Sequence, residues 1–192
     1  MEEKHIGAGC GVLIFNEQGK LLLGLRNYNE ETADSEMHEE GTWSCPGGNI
    51  EYGETFEEAG AREAKEETGL DISDIEVFCV QTDLNEYAHY ISVGMIAHSY
   101  DGIPRVMEPD ELMAWKWFNI NELPENIFSA SKKTIDCYLQ KKFYIKWYGI
   151  LFYLSLSSLF SSGLVSSSTF SSSITELTKE YLLSSLSLNV IT

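Results

Sequence analysis

The stretch 47–70, GGNIEYGETFEEAGAREAKEETGL, is rich in glutamate and carries three acids, Glu63, Glu66 and Glu67, at helical spacing. With about 100° per residue in an α-helix, the other two lie within about 60° of Glu63. Phe56 shares this face, so we expect the three acids to point toward the body of the protein or a cleft beside it. Clustered, partly buried carboxylates repel one another unless positive charge lies close by.

A divalent cation is the simplest source of that positive charge. Arg62 is adjacent in sequence, but one guanidinium does not offset three acids. Mg²⁺, or Mn²⁺ as a substitute, takes oxygen ligands and keeps open positions for the phosphates of a substrate. A wholly solvent-facing acidic helix is the alternative that helical geometry alone leaves open.

Local signals predict the elements that carry these residues. Thr55 followed by Glu58 is a capping-box pattern and Gly69 is a suitable stop, so a helix is expected at 56–68. Apolar runs predict the strands, with a short strand before the Gly-rich bend that follows Pro46 and an amphipathic closing helix at 127–142. The predicted strands are 7–16, 21–27, 42–45, 75–84, 90–100 and 115–120. Strands interleaved with few helices favour a mixed sheet covered by helices on its faces.

The spacing of Gly48, Glu54 and the run 62–70, REAKEETGL, resembles the Nudix box. Ala64 is a departure, because the family more often has a larger aliphatic residue there, and it puts local packing in doubt. The resemblance extends over roughly residues 6 to 142. It implies an α/β Nudix fold with a mixed β-sheet sandwiched between helices (α/β/α), and one Nudix hydrolase domain at 1–142.

The resemblance also implies an activity. Nudix hydrolases cleave a nucleoside diphosphate linked to another group, with one to three divalent ions. By this likeness Glu63, Glu66 and Glu67 hold the metal, and the carbonyl of Gly47 adds a ligand. Metal-bound water of lowered pKa then attacks a phosphorus.

Two further residues of the box have expected catalytic roles. Arg62 orients the carboxylates through ion pairs, and Glu54 helps to organise the same network. For Arg62 the alternative is an ordinary surface pair with Glu58 or Glu66. For Glu54 the alternative is a first-turn charge favoured by the helix dipole.

The general base is left open between the helix and a later loop. Glu63 lies between the expected metal cluster and the loop that precedes the helix. The downstream segment VMEPDELMAW supplies the competing candidates Glu108, Asp110 and Glu111.

Secondary features resemble the MutT-like branch, which includes the animal nucleotide diphosphatase and relatives that accept dihydroneopterin triphosphate. The expected reaction converts a normal or modified nucleoside triphosphate, such as an oxidised purine nucleotide, into monophosphate and pyrophosphate. The alternatives are hydrolysis of ADP-ribose or a nucleotide sugar, and a non-catalytic nucleotide-binding module, which the retained glutamates disfavour. The expected substrate-binding residues are Gly48, Asn49, Trp117 and Phe128, with Trp115, Tyr90 and Ser92 as further candidates, although strand aromatics are more often core.

The net charge and the cysteines indicate which partners and which cellular compartment to expect. The net charge of −17 disfavours nucleic-acid polymers and anionic membrane surfaces as partners unless cations intervene. The four cysteines are isolated and widely spaced, which is typical of reduced thiols in a cytoplasmic protein. A homodimer is expected from the resemblance.

Beyond residue 142 the sequence becomes rich in serine and leucine. No charged residue occurs between Trp147 and Thr175. The stretch 147–165 is near the length needed to span a bilayer, but its serines and glycines weaken that reading. We expect a tail at 143–192 outside the fold, with a membrane anchor as the alternative.

Overall fold

The computed structural model describes residues 5–29 and 36–145. Every predicted helix and strand is present, with boundaries shifted by a few residues at most positions. In chain order the elements are β1 Gly7–Ile14, β2 Lys20–Arg26, β3 Trp43–Ser44, α1 Phe56–Thr68, β4 Asp71–Leu84, β5 His89–Asp101, β6 Leu112–Asn119 and α2 Ser129–Gln140.

The predicted tail, except for its first three residues, and the membrane-spanning stretch at 147–165 lie outside the described residues. Within 5–29 and 36–145, no helix is long and apolar enough to cross a membrane. The chain continues to contact the domain just past the predicted boundary, since the carbonyl of Phe143 accepts a hydrogen bond of 3.0 Å from the Val80 N–H.

The strands form two three-stranded sheets, in the orders β1-β5-β4 and β3-β2-β6. β1 pairs with β5 in parallel, whereas the other ladders are antiparallel. An isolated bridge between Phe15 and Leu21 links the end of β1 to the start of β2. The predicted mixed arrangement of strands is therefore present, divided into two three-stranded sheets.

Alternate residues of β1 point to opposite faces, and each face is covered by a different helix. Val12 and Ile14 belong to the core cluster that includes Ala59 and Ala64 of α1. Leu13 belongs to a second cluster. That cluster also contains Ile135 of α2 and the buried Leu21 and Leu23 of β2. The prediction of a sheet between helices is confirmed.

The capping signals determine both ends of α1. The Thr55 hydroxyl accepts from the Glu58 N–H at 3.2 Å, and the Glu58 carboxylate accepts from the Thr55 N–H at 2.9 Å. Gly69 closes the helix in the left-handed conformation, with φ of 74°. The helix therefore spans Phe56–Thr68, as predicted.

The buried face of α1 is rotated relative to the predicted stripe. Phe56 is 45% exposed and Glu66 is also exposed, so both depart from the prediction. The cause is Gly60, where an added Cβ would lie 2.6 Å from the Met95 methyl carbon, so the helix touches the sheet there. The buried residues of the helix are Ala59, Gly60, Ala64, Glu67 and Thr68.

The Gly-rich bend lies directly on β1. The N–H groups of Val12 and Cys10 donate to the carbonyls of Pro46 and Gly48, each at 2.8 Å. Gly47 has φ of 151°, and a Cβ there would collide with the Cys10 carbonyl oxygen. Only glycine suits this position, because both the backbone conformation and the close approach exclude a side chain.

Gly47→Ala is expected to destabilise the protein by about 2–5 kcal/mol, through backbone strain and displacement of the bend from β1. The matched control is Gly11→Ala, because a Cβ at Gly11 meets nothing within 4 Å. Urea unfolding of the full chain measures both changes. Equal stability of the two variants would contradict the tight packing of the bend.

Candidate active site

A cavity of about 530 Å³ lies where the Gly-rich bend, α1 and the loop before β6 meet. This volume lies within the range of small-molecule sites. Most of the residues predicted from the sequence line it together. They are Gly47, Gly48, Asn49, Glu63, Glu67, Tyr90, Ser92, Glu108, Glu111 and Phe128.

Glu67 is the buried acid of α1 and lines this cavity, with 9% of the residue exposed. Its Oε2 accepts a hydrogen bond of 3.0 Å from the Gly47 N–H, so the bend holds the carboxylate in place. Burial raises the pKa of Glu67 well above its usual range, and the nearby charges of Glu63, Glu108 and Glu111 raise it further. Arg26 lies close enough to interact electrostatically with Glu67, but no salt bridge between Glu67 and a basic side chain forms within residues 5–29 and 36–145.

Glu63 lies one helical turn before Glu67 and rests against the bend. A Cβ on Gly48 would lie 2.7 Å from the Glu63 carboxylate, so this glycine makes room for the acid. Burial raises the pKa of Glu63, although the hydrogen bond and charge of Arg62 oppose the shift.

Arg62 holds the acids of the helix by donating from all three guanidinium nitrogens. Nε and Nη2 donate to the two Glu54 oxygens at 2.7 and 2.9 Å, a paired arrangement that fixes the guanidinium plane. Nη1 donates to Glu63 at 2.7 Å and to Glu66 at 3.1 Å. Nη2 also donates to the Asn49 carbonyl at 2.9 Å, which ties the helix to the bend.

This network decides the alternatives left open for Arg62 and Glu54. Arg62 is mostly buried and binds three acids, so it is not an isolated surface pair, and Glu54 is its bidentate partner. The hydrogen bonds from Arg62 lower the pKa of Glu54 to about 2, and they raise that of Arg62. Neither residue lines the cavity, so both position the acids from behind.

Glu66 does not line the cavity, and 51% of its side chain is exposed. Among the residues that the structure describes, no three Asp, Glu, His or Cys side chains stand in a ready-made metal-binding arrangement. Glu63 and Glu66 accept hydrogen bonds from Arg62, whereas Glu67 accepts from the Gly47 N–H. The donors nevertheless suit a hard divalent cation, because they are carboxylate oxygens and no salt bridge reaches Glu67 within the described part of the chain.

The downstream acids divide into two groups. Glu108 and Glu111 line the cavity, and a turn in which the Glu111 N–H donates to the Glu108 carbonyl at 3.1 Å holds them. Asp110 does not line the cavity; its carbonyl accepts from the side chain of Asn27.

The structure corrects the prediction for Trp117. This residue packs on the core cluster beneath α1, and its ring lies 5.9 Å from that of Tyr100. Trp115 packs on the same cluster and donates from its ring nitrogen to the Glu67 carbonyl at 3.1 Å. Phe128 lines the cavity, with the Arg26 guanidinium 4.8 Å from its ring centroid.

Sequence reasoning missed several polar residues of the cavity. Arg26 is the only basic residue within the second apolar run, LLLGLR, and Asp83 interrupts a strand that is otherwise mostly uncharged, so each carried a weak signal. Ser131 and Thr134 carried none, because serine and threonine are common on helix surfaces. All four line the cavity.

Comparison with known proteins gives concordant matches. The NUDIX domain model matches residues 5–137. The chain is 32% identical over 136 residues to an ADP-ribose pyrophosphatase from Methanocaldococcus jannaschii, covering 70% of each protein. The crystal structure of a MutT NUDIX hydrolase from Burkholderia pseudomallei aligns with a TM-score of 0.61 and 30% identity, over 69% of this chain and 98% of that one.

A longer relative matches only in part. The chain is 35% identical over 108 residues to a NAD-capped RNA hydrolase from Vibrio atlanticus, covering 55% of this chain and 38% of that protein. The chain thus spans well under two thirds of the length of this relative.

Glu67→Gln is expected to stabilise the metal-free protein at pH 7 by about 1–3 kcal/mol, because glutamine keeps an acceptor for Gly47 without a buried charge. The pKa of Glu67 is higher in the folded than in the unfolded protein. Its protonation therefore contributes stability that is fully present below about pH 4.3, the pKa of an unperturbed glutamate, and that is lost as the pH rises through the pKa in the folded protein. The stabilisation of Glu67→Gln relative to wild type should therefore be larger at pH 7 than at pH 5. Urea unfolding in EDTA measures it.

The control for this experiment is Glu57→Gln, in the exposed first turn of the same helix. It should change stability by less than about 0.5 kcal/mol. A Glu67→Gln protein that is less stable than wild type at pH 7 would show that positive charge in the metal-free protein already stabilises the buried carboxylate.

Proposed function

The chain belongs to the NUDIX domain family, and from this membership we propose that it hydrolyses a nucleoside triphosphate to monophosphate and pyrophosphate with Mg²⁺, for which Mn²⁺ substitutes. The observation that carries the proposal is the pair of buried acids, Glu63 and Glu67, on the wall of a nucleotide-sized cavity. A polyphosphate entering this acidic cavity needs cations between the two sets of negative charge.

Nudix hydrolases generally use divalent metal ions, and the donors here suit one. Glu63, Glu66 and Glu67 would hold it, with the carbonyl of Gly47 as a further ligand. When bound, such an ion offsets phosphate charge and lowers the pKa of a coordinated water.

The remaining residues of the site position the acids and the substrate. Arg62, fixed by Glu54, holds Glu63, which lines the cavity, and Glu66, which does not. Arg26 lines the cavity, and its buried Nε has no hydrogen-bond partner within the described residues, so it supplies a donor for a phosphate oxygen. Gly48 and Asn49 bring the backbone of the bend close to the same space.

The reaction consumes one water. Its oxygen forms a bond to phosphorus, the bridging P–O bond breaks, and pyrophosphate leaves with the bond electrons. The proton of the attacking water passes to a carboxylate, for which Glu63, Glu108 and Glu111 are placed, whereas Asp110 lies outside the cavity.

A second candidate function uses the same chemistry on a substrate whose diphosphate is linked to another group. The matches to an ADP-ribose pyrophosphatase and a NAD-capped RNA hydrolase favour it. Oxidised purine and dihydroneopterin triphosphates stay candidate substrates of the first. The cytoplasmic location and the homodimer also stay predictions.

Incubation of the full chain with Mg²⁺ and a panel of nucleoside triphosphates, ADP-ribose and nucleotide sugars tests the proposal. We expect monophosphate and pyrophosphate from at least one triphosphate. Glu66→Gln should lower turnover by more than about 10-fold, because a metal ligand is lost. Glu57→Gln, on the same helix, should leave turnover unchanged.

Two results would contradict the proposal. One is turnover that is confined to ADP-ribose or nucleotide sugars, which would favour the second function. The other is hydrolysis that persists in EDTA, which would show that the reaction does not need a divalent metal ion.

A further inference from the structure

The C-terminal end of α1 is held by hydrogen-bond donors from outside the helix. The last carbonyls of a helix have no partner within it, so they need donors from elsewhere. The Glu67 carbonyl accepts from the Trp115 ring nitrogen at 3.1 Å and from the Met107 N–H at 3.2 Å. The Thr68 carbonyl accepts from the Arg105 N–H at 2.9 Å. The loop before β6 and β6 itself therefore fix the last turn of α1.

The indole ring of Trp115 is packed in a defined position. Trp115 lies opposite Gly24 in the β2 and β6 ladder. A Cβ on Gly24 would lie 2.8 Å from the nearest atom of the ring, so the ring rests directly on the backbone of β2. The ring also packs on the core cluster that contains Ala64 of α1. The indole N–H is therefore oriented toward the helix by packing on two elements.

Glu67 is held at its main chain and at its side chain by different sheets. Its carboxylate accepts a hydrogen bond of 3.0 Å from the Gly47 N–H, in the bend that lies on β1. Its carbonyl accepts from Trp115 of β6. β1 and β6 belong to different three-stranded sheets. The position of the carboxylate in the cavity therefore depends on contacts to both sheets.

Trp117 is a close comparison for Trp115, because residues two apart in a strand point to the same face. Both rings pack on the same core cluster, and that of Trp117 lies 5.9 Å from the ring of Tyr100. Of these two tryptophans, only Trp115 donates a hydrogen bond to α1 within the described part of the chain. The two residues thus share a packing role and differ in the donor.

We propose that Trp115 is a positioning residue for Glu67, whose indole N–H holds the end of α1 so that the Glu67 carboxylate reaches a divalent cation in the cavity. This inference rests on the proposed function and adds a residue that does not line the cavity. Hydrogen bonds behind a metal ligand orient it, and their loss lowers metal affinity about 10- to 100-fold.

A role in packing alone would act on the whole domain and not on Glu67. The two roles are separable, because a positioning effect needs the Glu67 carboxylate, whereas an effect of packing does not. Substitutions that act through one group are non-additive, and substitutions that act independently add. The coupling between changes at Trp115 and Glu67 therefore distinguishes the two roles.

Calorimetric titration of the full chain with Mn²⁺ measures this coupling. Trp115→Phe keeps an aromatic ring and removes the donor, while the Met107 N–H still pairs with the Glu67 carbonyl. This variant should bind Mn²⁺ about 10-fold more weakly than wild type. Added to Glu67→Gln, the same substitution should change the Kd by less than about 2-fold.

The matched control is Trp117→Phe, which removes the same atoms from the same strand and core cluster. Its Kd for Mn²⁺ should stay within about 2-fold of wild type. An equal loss of affinity in the two tryptophan variants would overturn the inference. A loss from Trp115→Phe that is as large in Glu67→Gln as in wild type would also overturn it.

Amide hydrogen exchange in EDTA tests the inference without metal or turnover, so it is independent of the proposed function. The Gly47 N–H donates to the Glu67 carboxylate, so its exchange rate reports how firmly that carboxylate is held. In Trp115→Phe, exchange at Gly47 should accelerate about 2- to 10-fold relative to the Val12 amide of β1, the factor expected for one hydrogen bond.

The same ratio of exchange rates should be unchanged in Trp117→Phe. Absence of nucleotide hydrolysis together with this pattern would contradict the proposed function alone. An unchanged ratio in Trp115→Phe would overturn the role of Trp115, whatever the protein hydrolyses.

Discussion

The clustered negative charge along α1 is the constraint on which the rest of the site depends. Arg62 neutralises part of it by donating to Glu54, Glu63 and Glu66, and the same guanidinium ties the helix to the bend through the Asn49 carbonyl. Glu67 accepts a hydrogen bond from the backbone N–H of Gly47 and has no salt bridge within the described part of the chain. A folded protein tolerates such a carboxylate either protonated or beside a cation, and the cavity in front of it gives a cation access.

The packing of small residues makes this arrangement possible. Ala59, Gly60 and Ala64 let α1 lie so close to the sheet that the Glu67 carboxylate reaches the bend. The bend is held in turn by two hydrogen bonds to β1. Ala64, the departure from the usual box, is fully buried, so this interface accommodates the smaller side chain.

The features that the sequence predicted best are those with local causes. The limits of α1 follow from Thr55, Glu58 and Gly69, all within the helix or next to it. The rotation of its buried face, which exposes Glu66, was not predictable because it depends on contact with Met95, more than thirty positions away. The resemblance identified the acids and Arg62 as site residues, and the structure shows the hydrogen bonds that hold these side chains in position.

The remaining wrong or missed predictions concern residues whose contacts are far apart in the sequence. Trp117 points to the core because it lies opposite Leu22 in the β2 and β6 ladder, and a single sequence does not specify that register. Asp83 and Lys133 are 50 residues apart, so no local pattern links them. The acids of α1 and the bend that they contact lie close together in the sequence, whereas Asp83 of β4 and Lys133 of α2 come together only in the folded protein.

Calorimetric titration of the full chain with Mn²⁺ at pH 6, in two buffers of different ionisation enthalpy, tests the central claim most directly. If the buried acids hold the ion, binding should be saturable and should release protons, because Glu67 has a raised pKa and must ionise to coordinate. Glu67→Gln should release fewer protons and bind more weakly. The absence of saturable binding, or proton release that is identical in wild type and Glu67→Gln, would contradict the account.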